Sequence, residues 1–130
     1  MNVSLLSYDA LMNQLSNNQA EIAEFSTLEK IVRQGHQPDS PKLLTRYLDI
    51  GCNYAVHKPT SLQIKIFNSI LDTLLDTVCD HCIALQWRQL CLNNCYRPLS
   101  TLETLITNDQ EKHLLKQQYY KLRTLSHYFH

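Results

Sequence analysis

The longest regular pattern of hydrophobic and polar positions lies in the middle of the chain. Its apolar residues recur at steps of three and four positions, which is the spacing of one face of an α-helix. The members of this stripe are Ile64, Phe67, Leu71, Leu74, Val78, Cys82 and Leu85. The pattern predicts a long central helix that begins near Thr60 or Ser61 and passes Leu85. This helix either continues to Cys95, stopping before Pro98, or breaks near "LNN".

Shorter helical patterns precede the central one. We expect a short first helix that carries Leu11 and Leu15 on one face. The tetrapeptide "NQAE" has capping-box spacing and predicts the start of a second helix, which Gly35 would end in the left-handed conformation. A third helix should begin at Pro41, after an N-capping serine, and run toward Tyr54.

Two further start signals follow the central helix. Ser100–Glu103 is a second capping box and predicts a short helix, and Asn108–Glu111 predicts the start of a last helix that reaches the C-terminus. No internal repeat or linker divides the chain. The sequence therefore predicts an all-α fold, a compact bundle of five or six helices with a long central helix, in a single helical domain over residues 1–130.

Composition supports this fold class and narrows the functional classes. Two glycines and four prolines are too few for a β-rich domain, which needs turn residues every ~8–12 positions. Twelve basic residues balance twelve acidic ones, so overall charge does not favour a nucleic-acid partner. No run approaches the ~20 apolar residues of a transmembrane segment, and no secretory signal is evident. The five cysteines are odd in number and clustered, so we expect free thiols and a cytoplasmic location.

Four of the cysteines form the densest candidate site in the sequence. They follow the pattern C-x2-C, an eight-residue gap and C-x3-C, at positions Cys79, Cys82, Cys91 and Cys95. We interpret them as small core residues of the central helix, because free cysteine is among the most buried residue types. A zinc site is the alternative, but its two ligand pairs are usually separated by ~12–20 residues. A thioredoxin-like redox motif fits less well, because "DTVCDHC" is predicted to lie in mid-helix.

An acidic row and a basic helix are the other candidate sites. Asp72, Asp76 and Asp80 recur every four residues, and we interpret them as a solvated polar face. The last helix carries four basic residues and no acid after Glu111, and aromatic residues lie between them. One interpretation is that it packs within the fold or a dimer, through a helical packing stripe formed by Leu115, Tyr119, Leu122, Leu125 (or Ser126) and Phe129. The alternatives are a partner-binding surface and a surface for nucleic acid or lipid. The candidate partner-binding residues are Lys116, Tyr119, Tyr120, Arg123, Tyr128 and Phe129, together with Trp87, the only tryptophan.

No motif in the sequence indicates an enzyme or a cofactor site. The chain lacks a glycine-rich phosphate loop, and its six histidines are scattered. We expect a small non-enzymatic protein-binding module, an adaptor, chaperone or regulator that presents an amphipathic helical surface to a protein partner, as a homodimer. One alternative is a nucleic-acid-associated regulator that uses the basic aromatic C-terminal helix. The other is a zinc-binding helical protein.

Overall fold

The computed structural model describes the backbone of residues 8–129 and the side chains of residues 19–129. Within these residues the chain forms six α-helices and no β-strand, which confirms the predicted all-α bundle. The helices are α1 (Tyr8–Gln34), α2 (Pro41–Ala55), α3 (Thr60–Val78), α4 (Leu85–Asn93), α5 (Tyr96–Leu105) and α6 (Asp109–Phe129). None of these helices combines the length and the apolar character that crossing a membrane requires.

Helix α3 lies at the centre of the bundle and packs against α1, α2, α4 and α5. Its hydrophobic face is buried because residues three and four positions apart share one side of a helix. The buried apolar residues of this face are Ile66, Phe67, Ile70, Leu71, Leu74, Leu75 and Val78. One hydrophobic core cluster includes residues of all six helices, from Leu28 in α1 to Leu115 in α6.

Gly51 allows three of these helices to approach closely. It lies inside α2, and a Cβ atom at this position would be 2.6 Å from Ile70 Cδ1 in α3 and 3.1 Å from Phe25 Cε1 in α1. Any larger side chain would require the Ile70 side chain to move and would press on the Phe25 ring, since such distances are below van der Waals contact. A glycine that disfavours the helix locally therefore serves the packing of α1, α2 and α3.

The predicted breaks before α2 are confirmed. Gly35 ends α1 with a φ of +60°, and its N–H donates to the Ile31 carbonyl at 3.0 Å. A Cβ atom at Gly35 would lie 2.7 Å from Ile83 Cγ2, so a larger residue is opposed by both conformation and space. Pro41 occupies the first turn of α2, and the Ser40 carbonyl accepts the Leu43 N–H at 3.0 Å, although the Ser40 side chain makes no cap.

Two predicted start signals are wrong. The capping box at "NQAE" lies inside α1, whose backbone continues through it from Tyr8, so the short separate first helix does not exist. The side chains of Leu11 and Leu15 lie outside the described residues. Ser100 lies within α5, which begins four residues earlier at Tyr96 and accommodates Pro98 in its first turn.

The predicted length of the central helix is also wrong. Helix α3 ends at Val78, and a turn over residues 79–84 redirects the chain before α4. Asp80 causes this break, because its Oδ1 accepts the Cys82 N–H at 3.0 Å while its carbonyl accepts the Ile83 N–H at 3.1 Å. Aspartate side chains favour such turns by replacing helical hydrogen bonds. Leu85, the last member of the predicted stripe, is consequently 62% exposed.

Side chains of α4 donate hydrogen bonds to carbonyl groups at the C-terminal ends of α1 and α3. The last carbonyl groups of a helix lack intrahelical donors. The Trp87 indole N–H donates to the Val32 carbonyl of α1 at 2.9 Å, and Arg88 Nε donates to the Val78 carbonyl of α3 at 2.8 Å. An ion pair between Arg33 and Asp80, at 2.9 Å, joins the same two helix ends. This junction fixes where the chain leaves α3 and therefore where α5 and α6 lie.

Candidate functional site

Helix α6 begins where the sequence predicts and has a defined cap. Asn108 precedes it, and its Oδ1 accepts the Glu111 N–H at 2.7 Å while its carbonyl accepts the Lys112 N–H at 3.1 Å. Asp109 and Glu111 lie in the first turn, where carboxylates interact favourably with the helix dipole. The start of the candidate surface is thus fixed by the local sequence.

One side of α6 packs on the core, as the predicted packing stripe requires. Leu115 is buried, and Leu122, Leu125 and Phe129 are partly buried against the core cluster. The Arg88 guanidinium lies over the Phe129 ring, 5.1 Å from its centroid, in a cation–π contact that attaches the end of α6 to α4. Phe129 therefore packs on the core with part of its ring covered, and its role in partner binding stays a prediction.

The opposite side of α6 carries a row of exposed side chains. Lys116, Tyr120, Arg123 and His127 are exposed and lie one above another, because they are spaced four, three and four residues apart. Tyr120 is 74% exposed, so its ring is open to solvent along most of its surface. We call these four residues the outer face of α6. It brings together three of the residues that the sequence analysis proposed for partner binding.

Tyr119 and Tyr128 lie beside the outer face, on its two flanks. The Tyr119 hydroxyl donates to Glu103 Oε1 of α5 at 2.6 Å, and burial together with this carboxylate raises the pKa of Tyr119 to about 12. Tyr128 is exposed one position beyond His127, about 100° around the helix. The candidate aromatic residues consequently do not form one continuous platform: Tyr119 is held against α5, whereas Tyr120 and Tyr128 point to different sides.

Trp87 does not belong to a binding surface. Its side chain is 1% exposed and fills the core between the end of α1 and α3, with its indole N–H bonded to Val32. A buried tryptophan that has a hydrogen-bond partner is a packing residue. The interface assignment of Trp87 is corrected for this reason.

The four clustered cysteines separate into two environments. Cys91 and Cys95 are buried, as the core interpretation predicts, and burial raises the pKa of both thiols to about 12. Cys79 and Cys82 are exposed at the turn after α3, so the core interpretation is wrong for this pair, and they do not lie in mid-helix. Among the described residues, no group of three or more His, Cys, Asp or Glu side chains is placed to hold a metal ion. The four cysteines therefore do not lie together in the way that the zinc alternative requires.

The acidic row is also divided by the end of α3. Asp72 Oδ1 accepts a hydrogen bond from the Gln118 amide of α6 at 3.0 Å. Asp80 lies beyond the helix, where the Arg33 guanidinium and the Cys82 N–H hold the pKa of its carboxyl below the usual value. Asp76 stays exposed on α3. Asp72 and Asp80 thus link separate elements, while Asp72 and Asp76 are exposed on α3 as predicted. The prediction is wrong for Asp80, which does not continue the row on the same helix.

A groove along α6 collects several of the candidate residues. An open, shallow depression of about 620 Å³ on the surface of α6 itself is lined by Lys116, Tyr119, Tyr120 and Arg123, with further lining from Leu122, Ser126 and His127. A second depression of about 280 Å³ adjoins it toward α5 and shares Lys116 and Tyr119. We call the two together the α6 groove. Four of the seven sequence-predicted partner-binding residues meet here, whereas Tyr128, Phe129 and Trp87 lie elsewhere.

The sequence analysis missed several residues of the α6 groove. Lys112 borders the second depression, and Glu103 and Ile106 extend its lining from the end of α5. The position of Lys112, four residues before Lys116, places it on the same side of the helix and could have been used. No signal in the sequence indicates Glu103, since its position depends on the angle between α5 and α6.

Comparisons with known proteins supply no relative for this chain. No family model, curated protein or solved structure gave a significant match.

Proposed function

We propose that this protein is a small non-enzymatic protein-binding module, an adaptor, chaperone or regulator, that engages its partner through the outer face of α6. The observation that supports the proposal is the combination of a core-packed helix with an exposed tyrosine, Tyr120, between two exposed cations, Lys116 and Arg123. Tyrosine and arginine are enriched among the residues that dominate protein interfaces.

The packing of α6 on the core gives its outer face a defined position. Leu115 at one end and Phe129 at the other attach the helix to the core, so the outer face is presented on a fixed element. A preorganised helix loses little entropy when it binds, which favours helix-to-helix or helix-to-groove recognition. The proposal includes a reducing, cytoplasmic setting, to which the free thiols of the described residues conform. It also includes self-association as a homodimer.

The experiment is site-specific photocrosslinking in the cells that make the protein. A photoreactive phenylalanine analogue replaces Tyr120 in one sample and Tyr96 in another, since Tyr96 is a comparably exposed tyrosine on α5. We expect discrete protein adducts from position 120 and not from position 96. Identical adducts from both positions, or none from position 120, would contradict the proposal.

A substitution at the same position tests whether Tyr120 contributes to the association with the crosslinked protein. Tyr120→Ala should weaken the association with the crosslinked protein by about thirtyfold, as expected for an interface anchor worth about 2 kcal/mol. Tyr96→Ala is the matched control and should leave the association unchanged. Nuclease treatment separates the alternative function, because an association lost with nuclease would indicate a nucleic-acid-associated regulator instead.

A further inference from the structure

The α6 groove has an apolar floor. Leu115 and Ile106 lie at its α5 end, and Leu122 continues the floor one helical turn beyond Tyr119. Leu115 and Ile106 are largely buried, whereas Leu122 is only partly covered. The uncovered part of Leu122 gains free energy when another apolar surface covers it, whereas Leu115 and Ile106 have little surface left to bury. The floor therefore accepts a ligand whose apolar side chains lie along it, with the gain concentrated at Leu122.

The rim of the α6 groove is cationic. Lys112, Lys116 and Arg123 are exposed and border the groove, and they are spaced four and seven residues apart along one side of α6. At 1.5 Å per residue, the three charges span about 16 Å of the helix axis. The carboxylate in the described lining is Glu103, which accepts the Tyr119 hydroxyl at 2.6 Å. The rim thus favours a ligand that carries negative charges in a row.

We propose that the α6 groove binds an acidic amphipathic helix of a partner protein. This inference rests on the proposed function and names the chemistry of the partner. An apolar stripe of the bound helix lies on Leu115 and Leu122, and carboxylates beside that stripe pair with Lys112, Lys116 and Arg123. A helix with acids at positions i, i+4 and i+11 repeats the spacing of the rim, so the two helices match when they lie side by side.

The same lining disfavours a nucleic-acid strand. Phosphate groups of the strand would be repelled by the Glu103 carboxylate. Its unstacked bases would need free aromatic faces on which to stack. Tyr119 is held at the groove wall by its hydrogen bond to Glu103, so Tyr120 is the one tyrosine of the described lining with a free ring, and a single ring does not stack successive bases. The aliphatic floor of Leu115 and Ile106 also lacks any group that stacks. An amphipathic peptide helix satisfies the floor and the rim together.

The test uses the full chain and a designed probe. The probe is a fluorescein-labelled helical peptide of about 18 residues, long enough to span the groove, with a leucine stripe and glutamates at positions i, i+4 and i+11 beside it. The control peptide has the same composition with the glutamates moved to the opposite side of the helix. Fluorescence anisotropy should show binding of the probe at least about tenfold tighter than the control, since three exposed ion pairs together supply about this factor.

Charge removal on the protein gives the reciprocal measurement. Lys112→Gln, Lys116→Gln and Arg123→Gln together should reduce the affinity for the probe by about tenfold. The matched control replaces three exposed lysines outside the groove with glutamine, at Lys30, Lys42 and Lys65, and should leave the affinity within about twofold. Both variants change the net charge by the same amount, so a general effect of charge would appear equally in both.

The outcomes separate this inference from the proposed function. Equal binding of the probe and the control peptide, or equal affinity of the two charge variants, would overturn the acidic-helix inference. Tighter binding of an oligothymidylate strand than of the probe would overturn it in favour of a nucleic acid. If the triple groove variant does not fold, the unchanged protein is titrated instead with a second peptide that carries lysine in place of each glutamate of the probe. Equal affinity of the protein for the two peptides overturns the inference. Crosslinking from Tyr120 would still report on the proposed function, because it does not depend on the charge of the partner.

Discussion

Replacing Trp87 with phenylalanine should destabilise the protein more than any single surface change, because two losses coincide at one buried position. The indole N–H no longer donates to the Val32 carbonyl, which lies in the last turn of α1 without a helical donor. A buried acceptor left unpaired costs about 1–3 kcal/mol. The smaller ring also leaves part of the site unfilled, which adds about 1 kcal/mol.

The expected loss in the free energy of unfolding of the Trp87→Phe variant is therefore about 2–4 kcal/mol. For a domain of this size, 3 kcal/mol corresponds to a decrease in Tm on the order of 10 °C. Urea unfolding followed by far-ultraviolet circular dichroism measures it, since the variant lacks the only tryptophan and with it the usual fluorescence signal of unfolding. The control is Tyr96→Phe, an exposed aromatic residue whose change should stay within about 0.5 kcal/mol. A Trp87→Phe loss below about 0.5 kcal/mol would refute the bond to Val32 as a stabilising link between α4 and α1.

Three further predictions concern the core and its turns. Tyr47→Phe removes the buried hydroxyl that donates to Glu29 at 2.7 Å and should cost about 1–2 kcal/mol in urea unfolding; no change would argue against that bond. Gly35→Ala places a side chain at a φ of +60° and should cost at least about 1 kcal/mol, whereas equal stability would show that the turn adjusts. Cys91 and Cys95, with pKa values raised to about 12, should resist alkylation in the native protein while the exposed thiols of the turn after α3 react. Because the unfolded thiols ionise first, stability should fall as the pH rises above about 9, and rapid native alkylation of Cys91 or Cys95 would contradict the buried assignment.

Elements whose limits depend on local chemistry were predicted well from the sequence. Gly35 ends α1, Pro41 begins α2 and Asn108 caps α6, because each of these residues acts through its own backbone or its nearest neighbours. The helical stripe of α3 was also predicted, since a regular period of apolar residues requires one buried face. The fold class follows from these features together.

The end of α3 was predicted less well, because there the hydrophobic period favours a longer helix while Asp80 favours a turn. The stripe of α3 continues in the sequence through Cys82 and Leu85, and hydrophobic period alone gives no reason to stop at Val78. Asp80 stops the helix by bonding the backbone ahead of it, and Arg33 from α1 stabilises that carboxylate. The partner of Asp80 lies 47 residues away in the chain, so the strength of the break could not be read from the local sequence.

The packing side of the last helix was predicted from the sequence, whereas the contacts of its aromatic residues were not. Leu115, Leu122 and Phe129 belong to the predicted stripe and pack on the core, because steps of three and four share one side of a helix. The contacts of Phe129 with Arg88 and of Tyr119 with Glu103 depend on how α4 and α5 lie, which the local sequence does not indicate. Partner binding by the exposed basic and aromatic residues stays a prediction. Tyr120, which has the same side chain as Tyr119, lies on the outer side only because one residue rotates a helix by about 100°.

The junction around α4 links the core of the bundle to the surface of α6. Arg88 donates to the end of α3 through Nε and lies over the Phe129 ring through its guanidinium, so one side chain serves the bundle and the last turn of α6. Its neighbour Trp87 holds α4 against α1. Phe129, together with Leu115, Leu122 and Leu125, sets the rotation of α6 about its axis, so that Tyr120 faces outward. The contacts that close α1 and α3 therefore also contribute to the orientation of the outer face of α6.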